Sequence, residues 1–310
     1  MKTALLTHGD CLNHINPPGH PERVERLEAI LHTLDDNRFD DLLRIDAPMG
    51  TDASILSTHP KAYLESLLGM IPNEGWASID GDTSLSPGSM QAAYRGVGAL
   101  TKAVDLVMEG AIQNAFCAMR PPGHHAETQT AMGFCFFGNV VIGARHALDN
   151  HGLERVAIVD FDVHHGNGTQ DLVWSDERIL FASTHQMPLY PGTGATQEAG
   201  AHGNIVNVPL PPYADGAALR EAFTQNIIPA LEAFEPEMIF ISAGFDAHKN
   251  DPLANLNFTE ADFAWATEAL CAFAKTQCQG RVVSTLEGGY DLQALAASVA
   301  AHVTVLMEQN

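Results

Sequence analysis

The chain predicts an α/β fold: a doubly wound, mostly parallel sheet with helices on both faces. Three observations predict it. Strand-like and helix-like runs alternate almost from end to end. The strand-like runs are short, continuously apolar and rich in β-branched residues, as strands buried on both faces are. Five of these runs are followed at once by a polar cluster. Ligands of an open parallel sheet sit beyond the carboxyl ends of its strands, so fold and site point to one edge.

TALLTH (3–8) opens the chain as a strand. PERVERLEAILHTL (21–34) repeats apolar residues at helical spacing, with Pro21 suited to a first turn. SMQAAYRGVGALTKAVDLVMEG (89–110) is a long helix stopped by Gly110. Strand AFCAM (115–119), helix NVVIGARHALDNHG (139–152), strand VAIVDF (156–161) and strand ILFAST (179–184) follow. Helix GAALREAFTQNIIPALEAF (216–234) leads to strand MIFISAGF (238–245), and helix TEADFAWATEALCAFAK (259–275) to strand RVVSTLEGG (281–289). A last helix closes the series. Segments 186–203 and 246–258 are rich in Gly, Pro and Asn, and loops of that length are usually functional. No linker, repeat of fixed period or low-complexity tract interrupts the order, so residues 1–310 are expected to form one domain.

Hydrophobic residues at 45% and charged residues at 17% fit an ordinary globular protein. Thirty-eight acidic against sixteen basic residues give a formal charge of −22, which disfavours nucleic acid and anionic membrane as partners. That field would steer a cationic substrate inward; solubility or a salty habitat explains it equally well. The opening MKTALLTHGD turns polar too soon for a signal peptide, and no stretch approaches the roughly 18 apolar residues of a membrane span. Five cysteines (Cys11, Cys117, Cys135, Cys271, Cys278) form no C-x-x-C pair, which speaks against a disulfide framework and a thiolate zinc knuckle. A reducing, cytoplasmic compartment is expected.

The richest stretch is VAIVDFDVHHGNG (156–168). Side chains alternate along extended chain, so Asp160, Asp162 and His164 face one way. Carboxylates and an imidazole converging in a core are costly without a partner, and a divalent metal is the simplest one. The other strand ends add Arg120-Pro-Pro-Gly-His124-His125, His185, Asp246 with His248, and Glu287-Gly-Gly-Tyr290. Asp162, His164 and Asp246 make a three-ligand set with an open fourth position, as catalytic zinc has. Oxygen-rich ligation leaves Fe2+, Mn2+ or Co2+ open as well. His124 and His125 offer the general base that such a site needs. Tyr290, on the Gly288-Gly289 pair read as a hinge, offers an uncharged donor to a developing oxyanion.

Taken together, R-P-P-G-H-H (120–125), G-F-C-F-F (133–137), D-F-D-V-H-H-G-N-G-T-Q (160–170), S-A-G-F-D (242–246) and E-G-G-Y (287–290) resemble the histone deacetylase superfamily. Asn167 and the pair 136–137 are similar to its class II branch, including bacterial histone deacetylase-like amidohydrolases. The resemblance implies the arginase–deacetylase fold and hydrolysis of acyl-lysine-type amides. It implies Asp162, His164 and Asp246 as zinc ligands, and His125 as base and later acid. His124, paired with Asp160, would act as an electrostatic partner, and Tyr290 would bind the oxyanion. Phe134 would wall the acyl-lysine channel, Tyr190 would stand on the opposite wall where relatives carry Phe, and the Gly133 carbonyl would take the substrate amide. A potassium ion is implied at Asp160, Ser183 and the backbone of Asp162, His164 and Thr184. Leu253, after Asp251-Pro252, is similar to protein-lysine-type members, so an acylated lysine peptide or protein is the first expected partner and an acylated polyamine the second. Asp82 is either a binder of substrate backbone amides or a solvated loop carboxylate. A homo-oligomer stays open.

Two rivals remain at this stage. An arginase-like ureohydrolase needs a second metal bridged by further carboxylates, and His164-His165 with Asp246-Ala247-His248 approaches that pattern. A silent acyl-lysine-binding module would keep the pocket without turnover.

Overall fold

The computed structural model describes residues 2–309. From the N-terminus the elements are β1 (Thr3–Thr7), α1 (Glu25–Leu34), β2 (Leu43–Asp46), α2 (Asp52–Leu56), α3 (Lys61–Gly69), β3 (Ala77–Ser78), β4 (Ser84–Leu85) and α4 (Ser89–Met108). They continue as β5 (Asn114–Cys117), α5 (Asn139–His151), β6 (Val156–Asp160), α6 (Asn167–Val173), β7 (Ile179–Gln186) and β8 (Ile205–Leu210). Then follow α7 (Gly216–Ala222), α8 (Ile228–Phe234), β9 (Ile239–Ala243), α9 (Glu260–Gln277), β10 (Val282–Leu286) and α10 (Leu292–Glu308).

Eight strands form one sheet in the order β2-β1-β5-β10-β9-β6-β7-β8. Every pairing in it is parallel. A parallel sheet must be covered on both faces, and the register shows how. Phe116 and Ser284 are register partners; Phe116 stacks edge-on against His302 of α10, and Ser284 hydrogen-bonds the same ring. The neighbouring row, with Phe240 beside Ile158, meets α4 and α5 instead, where Gly143 lets Phe240 and Leu100 close in. Strand order decides what converges. β5, β10, β9 and β6 are consecutive at the centre, so the segments leaving their carboxyl ends share one crevice.

Several elements differ from expectation. Helix α1 starts at Glu25 and not at Pro21, because Glu22 is drawn into a buried ion cluster that holds the preceding turn open. The run 216–234 is divided: a π-turn at Phe223–Ile227 separates α7 from α8, next to Pro229, which has no N–H to give the preceding turn. Strand β6 stops at Asp160, yet the alternation persists, since Phe161 and Val163 enter the core while Asp160, Asp162 and His164 face the crevice. Edge strands β2 and β8 and the short helices α2, α3 and α6 were not anticipated. Among the described residues no helix is long and apolar enough to cross a membrane.

Candidate active site

The crevice is built from the central strand ends. Past β6, the backbone N–H of Asp162 donates to Asp160 Oδ1 at 2.9 Å, and that of His164 to Asp162 Oδ1 at 2.9 Å. These two bonds wind the chain so that both side chains stay on one side. Past β9, Asp246 accepts from the Val163 N–H at 2.8 Å, which ties the two loops together. His164 Nδ1 then stands 3.0 Å from Asp246 Oδ2 and 3.2 Å from Asp162 Oδ1. The three side chains are buried, and one ligand atom from each lies within 4.8 Å of the others.

Burial resists the charge of His164, but its hydrogen bonds to Asp162 and Asp246 hold its pKa up at about 10. Burial pushes the Asp246 carboxyl up, and the neighbouring Asp162 carboxylate adds to it. Asp162 itself is driven low despite burial, by His124 and His164. Two carboxylates sharing one imidazole in a buried site form a donor set short of positive charge. A divalent cation fits it.

Two histidines flank this set with opposite environments. His124 Nδ1 is 3.0 Å from Asp160 Oδ2, and its Nε2 is 3.8 Å from Asp162 Oδ2. Burial lowers its pKa, but the Asp162 and Asp160 carboxylates outweigh that and hold it well above the usual imidazole range. His125 goes the other way: burial, then the positive fields of His124 and His164, depress it well below that range. Asn167 Nδ2 donates to Glu127 Oε1 at 2.8 Å, which fixes the amide so that its Oδ1 accepts from His125 Nδ1 at 2.7 Å. The His125 proton is therefore on Nδ1, and Nε2 carries the lone pair. Glu287 holds the loop itself, accepting from the N–H groups of Gly123 at 2.7 Å and His124 at 3.1 Å.

A pocket of about 630 Å³ opens onto His125 and His164 and is lined also by Gly133, Phe134, Tyr190, Leu253, Tyr290 and Asp82. The Phe134 and Tyr290 rings meet edge-on at 6.0 Å, and Tyr190 lies 5.2 Å from His125 and 6.3 Å from His164. A Cβ on Gly133 would stand 2.4 Å from His125 Cδ2, so only glycine fits there. Leu253 and Asp82 lie at the exposed mouth. Burial raises the Tyr290 phenol well above its ordinary value, which keeps it a neutral donor.

Gly288-Gly289 is not a free hinge. A Cβ on Gly288 would stand 2.1 Å from Asp246 Oδ2 and 2.6 Å from Asp162 Oδ2, and its N–H donates to Asp162 Oδ2 at 2.8 Å. The glycine is there for close approach. Tyr290 is pinned next to it: its N–H donates to Asp251 Oδ2 at 2.7 Å, and the Arg26 guanidinium lies 4.9 Å from the ring centre. Arg26 also donates to the Gly289 carbonyl at 2.6 Å and the Glu287 carbonyl at 2.5 Å.

Three sequence candidates do not join the cluster. His165 turns to Thr193 and Gln170, His185 to Ser183 and Gly194, and His248 to the Asn250 N–H. The arginase-like pattern thus loses the residues that suggested it. Conversely, Arg26, Asp251, Glu127, Thr83 and His20 were missed. Thr83 Oγ1 accepts from the Phe134 N–H at 3.1 Å, and the His20 ring lies 4.7 Å from that of Phe134.

The chain is similar to known proteins over almost its whole length. A family model described as the histone deacetylase domain matches residues 20–306. "Histone deacetylase 14, chloroplastic" of Arabidopsis thaliana is 39% identical over 315 residues, covering 95% of this chain and 74% of its own. The "histone deacetylase-like amidohydrolase" of Pseudomonas aeruginosa is 37% identical over 284 residues, covering 89% of this chain and 74% of its own. The crystal structure of the HDA15 HD domain superposes with a TM-score of 0.94 at 33% identity, covering 99% of this chain and 88% of that one.

Proposed function

The chain belongs to the histone deacetylase family, and from that premise we propose that it hydrolyses acyl-lysine-type amides, releasing acetate or a related acid. Deacetylase-type hydrolysis follows from the family; the substrate and the metal are inferred from the site. The observation that carries the reading is a buried three-donor set with two adjacent imidazoles beside it, one paired with the Asp160 carboxylate and the other with the Asn167 amide oxygen.

Asp162, His164 and Asp246 would hold Zn2+, with Fe2+, Mn2+ or Co2+ acceptable to the same donors. When bound, such an ion polarises the amide carbonyl and acidifies water. His125, with its Nε2 lone pair on the pocket side, takes the proton from the attacking water and later returns it to the departing amine. His124 stays protonated against Asp160 and stabilises the negative charge that develops nearby. The Tyr290 hydroxyl donates to the oxygen of the former carbonyl. Phe134 and Tyr190 flank the acyl-lysine stem, and the Gly133 carbonyl accepts from the substrate amide. A potassium ion would suit Asp160 and Ser183, which are buried register partners on β6 and β7, together with the carbonyls of Asp162, His164 and Thr184. Asp82 at the mouth, together with the net charge of −22, favours a cationic substrate, so acetylpolyamines are the second reading.

A panel of acetyl-lysine peptides, acetylpolyamines and small acetamides tests this. The highest kcat/KM should fall on an acetyl-lysine peptide. Preference for an acetylpolyamine would move the assignment to the second reading, and no acetate release from any member with metal supplied would restore the silent binding module.

A further inference from the structure

Asp105 lies in the last turn of α4, and His146 and His151 lie on the C-terminal half of α5, with His151 its final residue. These helices lead into β5 and β6, so this end of the pair is at the amino edge of the sheet, opposite the deacetylase pocket. His146 Nε2 is 2.7 Å and His151 Nε2 2.8 Å from one and the same atom, Asp105 Oδ1. Three donor atoms from three side chains lie within 4.8 Å of one another. We propose that Asp105, His146 and His151 form a second metal site, binding a borderline divalent ion of the zinc, nickel or copper class across α4 and α5.

The chemistry of the donors selects the ion. Two imidazoles suit Zn2+, Ni2+ or Cu2+, whereas Mg2+ and Ca2+ take oxygen ligands. The spacing is within reach: tetrahedral bonds of about 2.0–2.1 Å put ligand atoms roughly 3.3 Å apart, so the two contacts to Asp105 need to open by about half an ångström, and the two imidazole nitrogens start within 4.8 Å of each other. His146, His151 and Asp105 are 19%, 21% and 34% exposed, so the side chains have room for that adjustment and the site is open to solvent. Charge placement helps as well. Both helices present their C-terminal ends here, where unpaired carbonyls and the helix dipole favour a cation. Without the ion, both rings spend an Nε2–H on one carboxylate oxygen; with it, three donors meet one centre. An open, partly exposed site of this kind exchanges its metal readily and ties α4 to α5 when filled.

The test is zinc binding by the tag-free protein with its pocket metal already in place, read by equilibrium dialysis and elemental analysis. Wild type should take up a further equivalent that Mg2+ in excess does not displace. His146→Ala and His151→Ala should each weaken that equivalent by more than about tenfold, the loss that even an outer-shell substitution produces. Deacetylase activity of the pocket should be unchanged in both, because neither residue lies in it. The further equivalent should also raise Tm in wild type and not in the variants. No additional zinc in wild type, or additional zinc that survives both substitutions, overturns the proposal. Because the variants and not the total stoichiometry assign the site, a pocket without metal would not mimic either result.

Discussion

Tyr290 has its backbone N–H held by Asp251 and its ring held by Arg26, and the residue lines the pocket. Tyr290→Phe keeps the ring and its contacts, so fold and metal content should survive. The loss should fall on kcat, by about 10²–10³, because a donor aimed at a developing oxyanion binds the transition state better than the substrate. A rise in KM with kcat intact would make Tyr290 a packing residue. The histidine pair gives a second expectation at this scale. With His125 as the proposed general base and His124 as its proposed charged neighbour, His125→Ala should lower kcat/KM more than His124→Ala, with general-base help typically worth about 10²–10⁴. Steady-state kinetics on one acetyl-lysine peptide decides it, and equal losses would leave the two roles undivided.

The elements matter through what they press against one another. Gly288 follows β10 by two residues and lies against both Asp162 and Asp246, so Gly288→Ala should expel the metal and abolish turnover without unfolding the sheet. Metal content at the wild-type level in that variant would contradict the close packing. Between β1 and α1, Glu22 accepts from Arg120 at 2.5 and 2.7 Å and from Arg26 at 3.1 Å, all three fully buried. Burial alone would raise the Glu22 carboxyl, but the Arg120 charge and the hydrogen bonds from His14 and Arg120 drive it well below its usual range. Removing one partner of such a cluster strands the others, so Glu22→Gln should cost about 3–5 kcal/mol at neutral pH. The folded pKa lies below the unfolded one, so this stabilisation is complete above about pH 4.3 and is lost as pH falls through the folded value. Denaturant titrations of both proteins should therefore converge in acid; an equal gap at all pH values would remove Glu22 from the explanation. This cluster marks the limit of what the sequence makes legible. Asp162 and His164 after β6, Asp246 after β9 and Tyr290 after β10 are readable because each follows an apolar strand within a few residues. Arg26 meets Gly289 across 263 positions, and Arg120 meets Glu22 across 98, so nothing local announces either. The same holds for β2 and β8: they are edge strands, one mostly exposed and the other carrying Pro209, and neither shows the continuous apolar run of the central strands.

Across the whole molecule, a net charge of −22 surrounds a mouth that carries Asp82, and Asp80 bonds the backbone beside it. A peptide with basic residues around its acyl-lysine should be drawn in, and its kcat/KM should fall as salt shortens the Debye length from about 30 Å at 0.01 M to 8 Å at 0.15 M. An acidic peptide should show the reverse, and a kcat/KM indifferent to salt for both would confine the charge to solubility. Chemistry, in contrast to capture, is proposed to depend on Asp162, His164 and Asp246, the buried donor set just beyond the carboxyl ends of β6 and β9. Its most direct test is stepwise zinc reconstitution of the chelated protein, with acetate release from an acetyl-lysine peptide measured at each addition. Activity should start near zero, rise in proportion to the first equivalent bound and then level off, and Asp162→Ala, His164→Ala or Asp246→Ala should remove that rise. Full turnover in the metal-free protein, or a rise that persists when any of the three is replaced, would contradict the role given to Asp162, His164 and Asp246.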